Sequence, residues 1–176
     1  MKSVSINRLL AFAFVAFLSG CGTINLKSDP NTFSVRENTK PLKPTQIALV
    51  NGYAAETKAI IYEGRGTTLQ VDQRQVTDSA IQIMTRHFEK NGIRVVPQAA
   101  KTVTLSVQNI NQTLVGGGYG GMRNQLALEA KYGGTSSLVT GENVSPADAG
   151  RVMDGALLFA ITKLLNEDRF VNYVNR

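Results

Sequence analysis

Thr102-Val103-Thr104-Leu105-Ser106-Val107-Gln108 decides the fold. Apolar and polar residues alternate with a period of two, the spacing that sends successive side chains to opposite faces of a strand. One face is dry and the other wet, the usual pattern of an antiparallel sheet covered on one side. The phase shifts at Ile110, so a bulge is expected near Gln108–Asn109. A second alternating run, Leu126, Leu128, Ala130 and Tyr132, follows the glycine-rich stretch Gly116-Gly117-Gly118-Tyr119-Gly120-Gly121. Residues 102–114 and 124–132 are therefore expected as a long antiparallel hairpin, with residues 135–140 as an edge strand.

Working back toward the N-terminus, Ile93-Arg94-Val95-Val96 reads as a short strand closed by Pro97. The segment before it predicts a helix from Asp72 to Asn91-Gly92. Asp72 is the expected N-cap and Gln75 its N3 partner in a capping box, with Val71 and Val76 as a hydrophobic staple. Asn91-Gly92 supplies a left-handed stop. Between them Val76, Ala80, Ile83, Met84 and Phe88 fall on one helical face. Earlier still, Gln46-Ile47-Ala48-Leu49-Val50 and Lys58-Ala59-Ile60-Ile61-Tyr62 read as strands, the second ended by Gly64 and Gly66.

Toward the C-terminus, Ser145-Pro146-Ala147-Asp148 reads as an N-cap, an N1 proline and an acidic N3 residue. The helix it opens has a wide apolar face through Val152, Ala156, Phe159, Ala160 and Leu164. Asn166-Glu167-Asp168 interrupts it, and Phe170, Val171 and Val174 form a last turn folded back on the core. The order of elements predicts an α+β two-layer sandwich: a mixed or antiparallel sheet with two main helices on one face.

Residues 45–176 are read as this single α+β domain. Residues 21–44, polar and carrying Pro30, Pro41 and Pro44, read as a flexible tether. Before them, Lys2 and Arg8 precede an uninterrupted apolar run from Leu9 to Leu18, and Ser19-Gly20-Cys21 follows. That is the n-region, h-region and small-residue site of an export signal over residues 1–20. Leu18-Ser19-Gly20-Cys21 resembles a bacterial lipobox. The resemblance implies cleavage before Cys21 and covalent acyl and diacylglycerol groups on its sulfur and amine. Gly22, rather than Asp, at the second mature position implies sorting to the outer membrane, with the domain on its periplasmic face.

Composition bounds the rest. With 176 residues, 43% apolar and 18% charged, the chain has the make-up of one globular domain. The ten-residue apolar run is half of what a spanning helix needs, about 20 residues. One cysteine excludes an intramolecular disulfide, and one histidine, His87, excludes a histidine-pair metal motif. No metal site is expected. Without residues 1–20 the chain keeps 17 basic and 13 acidic groups, a net charge of +4. These basic groups are scattered, with no aromatic interleaving, so nucleic acid is not an expected partner.

No catalytic constellation stands out. Residues 116–121 formally contain G-x-G-x-x-G, but the following segment alternates as a strand, where a dinucleotide site needs a helix. They read better as a mobile hairpin tip. Asp72, Asp78 and Asp148 are accounted for by helix starts, Glu56 and Glu63 by exposed strand flanks, and His87 by a satisfied place on a helix flank or surface. No enzyme activity is expected, and no cofactor beyond the acyl groups on Cys21. Gly116, Gly117, Gly118, Tyr119, Gly120, Gly121 and Met122 form the candidate partner-contact loop.

In its lipobox, the strand at Ile47–Val50, the capped helix running into Asn91-Gly92-Ile93-Arg94-Val95, the long hairpin and the ending Leu164-Leu165-Asn166-Glu167-Asp168-Arg169-Phe170, the chain resembles the YajG-type outer-membrane lipoproteins. It is similar in pattern to auxiliary lipoproteins of ABC-type lipid transport. The resemblance implies a non-enzymatic, lipid-anchored periplasmic module that binds an envelope protein partner. The alternative is a carrier that parts its apolar layers to hold a lipid or small ligand.

Overall fold

The structure, a computed structural model, describes residues 22–35, 39–64, 66–116 and 121–176. Its strands are β1 (Gly22–Leu26), β2 (Gln46–Asn51), β3 (Lys58–Gly64), β4 (Thr67–Asp72), β5 (Arg94–Val95), β6 (Thr102–Val115), β7 (Gly121–Tyr132) and β8 (Thr135–Ser145). Its helices are α1 (Gln73–Lys90), α2 (Ala149–Leu164) and α3 (Asp168–Asn175). The fold is α+β. A five-stranded mixed sheet runs β5-β2-β6-β7-β8, and a second, three-stranded mixed sheet runs β1-β4-β3. That second sheet was not expected from the pattern.

The hairpin is where the alternation places it. Val103 pairs with Tyr132, Leu105 with Ala130 and Val107 with Leu128, all buried on the helix-covered face. The register shifts between Gln108 and Asn111, and Asn109 takes φ +50°. The extra residue resets which parity faces inward, so Ile110 and Gln112 are buried where Val103, Leu105 and Val107 were. β2 ends at Asn51, opposite Leu105. The next edge groups of β6 are satisfied by side chains instead: Thr77 Oγ1 accepts from Val107 N–H (2.9 Å) and Tyr53 O–H donates to Val107 C=O (2.8 Å).

α1 carries the expected buried stripe, with Val76, Ala80, Met84 and Phe88 fully covered. Asp72 caps it, accepting from Arg74 N–H (3.0 Å) and Thr57 N–H (2.9 Å). The capping box does not close. Gln75 exchanges two bonds with the Ser28 backbone, accepting at 3.3 Å and donating at 3.1 Å. At the other end Gly92 has φ +78°, and Ile93 N–H returns to Phe88 C=O (2.9 Å).

The second helix starts later than its sequence suggests. β8 runs on to Ser145 because Ser145 pairs with Met122, so Ser145 and Pro146 precede the helix. Ser145 Oγ accepts from Ala147 N–H in a local turn, and Asp148 is the N-cap, accepting from Arg151 N–H (3.1 Å). α2 crosses β8 closely at Gly141, where a Cβ would strike the Ala156 carbonyl oxygen. Phe159, placed on the apolar face by its spacing, instead points to solvent at 52% exposure. α3 buries Phe170, Val171 and Val174 as expected, and Tyr132 meets Phe170 edge to face at 5.3 Å.

The described part of the 21–44 segment is a strap rather than a flexible tether. Residues 22–26 form β1, parallel to β4. Ser28 Oγ donates to Asp154, and Arg86 donates to Asn31 and to the Pro30 carbonyl. Lys40 bonds Asp168 (2.6 Å), and Lys43 N–H reaches Asn175 (2.8 Å). Composition marked the segment as polar; tertiary partners supplied by α1, α2 and α3 fix it in place.

Candidate functional site

Gly116, Gly121 and Met122, the described part of the expected contact loop, lie at the end of the β6–β7 hairpin. Tyr53 sits at Val107 of β6, and β3, a few residues later, borders Asn111–Leu114 through Ile60–Glu63. β3 therefore runs in the same sense as the outer half of β6. β1 is parallel to β4, with Gly22 opposite Thr67, and Gly22 N–H donates to Gly66 C=O (3.2 Å). α2 starts at the hairpin end, after Ser145, which pairs with Met122.

Cys21 and residues 117–120 lie outside the described residues. Of the expected contact loop, Gly116 (φ +84°) ends the outgoing strand, and Gly121 and Met122 already belong to β7. Met122 is not a free loop residue. It lies between Leu114 and Ser145, packs on the core, and its Sδ accepts from Gln112 Nε2 (2.9 Å).

Behind the tip, three inward amides cross adjacent strands. Gln112 pairs with Asn124, and Asn124 with Asn143. Asn124 is fully buried and donates to Gln112 Oε1 at 3.4 Å, while its Oδ1 has no partner among the described residues. Asn143 donates to the Val152 carbonyl in the first turn of α2. Such a row costs desolvation that an apolar row would avoid. No periodicity announces it, because amides at inward positions look like amides at outward ones.

Two titratable groups are buried along the strap. Asp154, 4% exposed, accepts from Ser28 Oγ (2.6 Å) and Asp29 N–H (3.2 Å). Burial pushes its carboxyl above the usual range, more than those two bonds pull it down. His87, 8% exposed, is buried rather than on the surface. Its Nε2 lies 3.2 Å from Thr39 Oγ1 and 3.4 Å from Asn91 Nδ2. Burial, then the nearby Lys90 charge, lowers its basicity. Asp154 was missed in the sequence because it sits inside a helix with its partner 126 residues away.

Among the described residues no group of three or more His, Cys, Asp or Glu side chains is placed to hold a metal, and no helix is long and apolar enough to cross a membrane. A surface opening at the end away from the tip is lined by polar residues including Thr102, Thr104, Lys131 and Ser136.

No known family model matches the chain, and no curated protein matches it in sequence. Among solved structures, it is similar to a Xanthomonas campestris protein of the DUF330 family at 12% identity, over 87% of this chain and 95% of that one, with a TM-score of 0.46. An uncharacterised protein matches at 11% identity, over 82% of this chain and 95% of that one, with a TM-score of 0.36.

Proposed function

We propose that this chain is a lipid-anchored, non-enzymatic interaction module of the bacterial cell envelope. It is attached through Cys21 to the outer membrane, faces the periplasm, and is of the YajG type. The observation that carries the reading is Leu18-Ser19-Gly20-Cys21 directly after ten apolar residues. Each buried methylene of an acyl chain contributes about 0.8 kcal/mol, and one chain alone holds only marginally. A diacylglycerol together with an amide-linked acyl chain makes the attachment effectively permanent. The hairpin end at residues 115–123 offers a contact surface, and anchoring beside a partner raises the effective concentration, so weak contacts suffice.

The anchor is tested by palmitate labelling. The native chain is expected to label and to sediment with membranes, and Cys21→Ser to do neither; labelling of the variant at the native level overturns the anchor. The module is tested by in-cell crosslinking. Tyr119→Ser is expected to leave the thermal transition in place and to lower the yield of the crosslinked complex, and an unchanged yield overturns the contact surface.

A further inference from the structure

β8, 11 residues long, ends its sheet: among the described residues β7 is the strand that pairs with it, and its other side is open. The hairpin turn shows which backbone groups face that side. Gly133 (φ +52°) and Gly134 (φ +77°) form the two-residue loop between β7 and β8. Such a turn makes the flanking residues, Tyr132 and Thr135, a hydrogen-bonded pair. Bonded and non-bonded pairs then alternate along the ladder. Ser136, Leu138, Thr140, Glu142 and Val144 therefore aim N–H and C=O away from β7. Lys163 agrees with this phase, since its Nζ donates to Thr140 C=O (2.7 Å) from α2. The strand holds no proline and no lysine, the residues that commonly blunt an edge.

The same row carries apolar side chains. Leu138 (62% exposed) and Val144 (50%) stand on the sheet face opposite α2. Phe159 (52%) lies on α2 one turn before Lys163, on the side that reaches the open edge. The edge is thus flanked by uncovered apolar groups above and below.

The sequence of the row selects its occupant, because it is complementary to itself in one register. Antiparallel pairing of two copies about a two-fold axis at Gly141 sets Leu138 against Val144 of the other copy, Val144 against Leu138, and Thr140 against Glu142. An axis at Thr140 would set Leu138 against Glu142, and one at Glu142 would oppose two carboxylates. Gly141 also lies under Ala156 and Ala160 of α2, so the axis passes beside Phe159.

We propose that β8 pairs with β8 of a second copy of this chain about Gly141, joining two five-stranded sheets into one. The ladder is built by β8 and leaves the 115–123 hairpin end to a protein partner, so it goes beyond the proposed function and does not rest on it.

The test is disulfide exchange between full-length chains in cells. Hydrogen-bonded antiparallel partners have Cα atoms about 5.5 Å apart, within the range a disulfide spans. Within one copy residues 138 and 144 are about 20 Å apart along the strand. Leu138→Cys and Val144→Cys chains with different tags, expressed together and treated with copper phenanthroline, are expected to give several-fold more linked dimer than either chain alone. Each chain alone also reports any background from Cys21. A mixture at the background level overturns the proposal, and so does an equal yield from Leu138→Cys with Glu142→Cys. Exposed Thr140 sharpens the test without disturbing the fold. Adding Thr140→Glu, which faces Glu142 of the other copy, is expected to lower the yield several-fold, whereas Thr140→Lys is expected to keep it. The same yield from both overturns this register.

Discussion

Before the bulge, the inward positions of β6 and β7 are Val103, Leu105, Val107, Leu128 and Ala130; beyond it Gln112 and Asn124 stand inward beside Ile110 and Met122, with Asn143 next to them on β8. Both stretches belong to one sheet and lie under helices. The first is sealed by α1 and α2 through apolar contact that needs no fixed partner. The second is joined to its cover by a directional bond, from Asn143 to the Val152 carbonyl, and the strap beside it by Ser28 to Asp154 and Gln75. The difference separates two tasks. The dry half supplies the cohesion that holds the domain together. The polar half ties β8 to α2, and the strap is tied to α1 and α2 by bonds of the same kind, each weak individually.

The sharpest way to break the comparison is Phe88→Ala in the dry half. Phe88 is fully buried, and its loss is expected to cost about 3–5 kcal/mol. A urea midpoint close to that of the native chain would mean that the dry half does not carry stability. Gly141→Ala, where α2 crosses β8, is expected to cost about 1–3 kcal/mol, because the added methyl meets backbone that cannot rotate away. Its thermal transition compared with that of Gly22→Ala, at a position with open space and no positive φ, separates the clash from the general effect of losing a glycine.

In the strap, Ser28→Ala withdraws a donor from buried Asp154 and is expected to cost about 1–3 kcal/mol. Its signature is local. Amide exchange should accelerate across β1 while α1 stays protected, and uniform acceleration would show that strap and core open as one unit.

The smallest effects are slopes with pH, and they oppose each other. The Asp154 carboxyl is raised from 3.8, so between that value and the folded one the native state binds the extra proton, and stability falls as pH rises. His87 is lowered from 6.5, so between those values the unfolded chain binds the extra proton, and stability falls as pH drops. Asp154→Asn is expected to flatten the first slope and His87→Gln the second, each read as urea midpoint against pH. A native profile in both variants would remove these groups as the titrating pair.

Much of the fold was legible where a residue's role depends on its near neighbours. The alternation of 102–108 announced its strand, and the phase change at Ile110 announced the bulge. Asp72 and Asn91-Gly92 marked both ends of α1, since capping involves groups within one turn. The misreadings share a cause. Gln75 has the right spacing for a capping box but finds Ser28 instead. Ser145 has the right type for an N-cap but is held in β8 by Met122. The contact loop was legible only as a glycine run; that Met122 belongs to the sheet depends on strand register.

The chain by itself determined its sheet-forming hairpin, its two main helices and the lipobox-like motif at 18–21, because each is written in periodicity or in a few consecutive residues. Only the tertiary structure decided that the described residues of 22–44 pack along the domain and that β1, β4 and β3 form a second sheet. Parallel pairing of β1 with β4 and the Ser28–Asp154 bond join residues tens to more than a hundred positions apart. Contacts at that separation leave no local pattern, since neither partner needs an unusual sequence around it to make them.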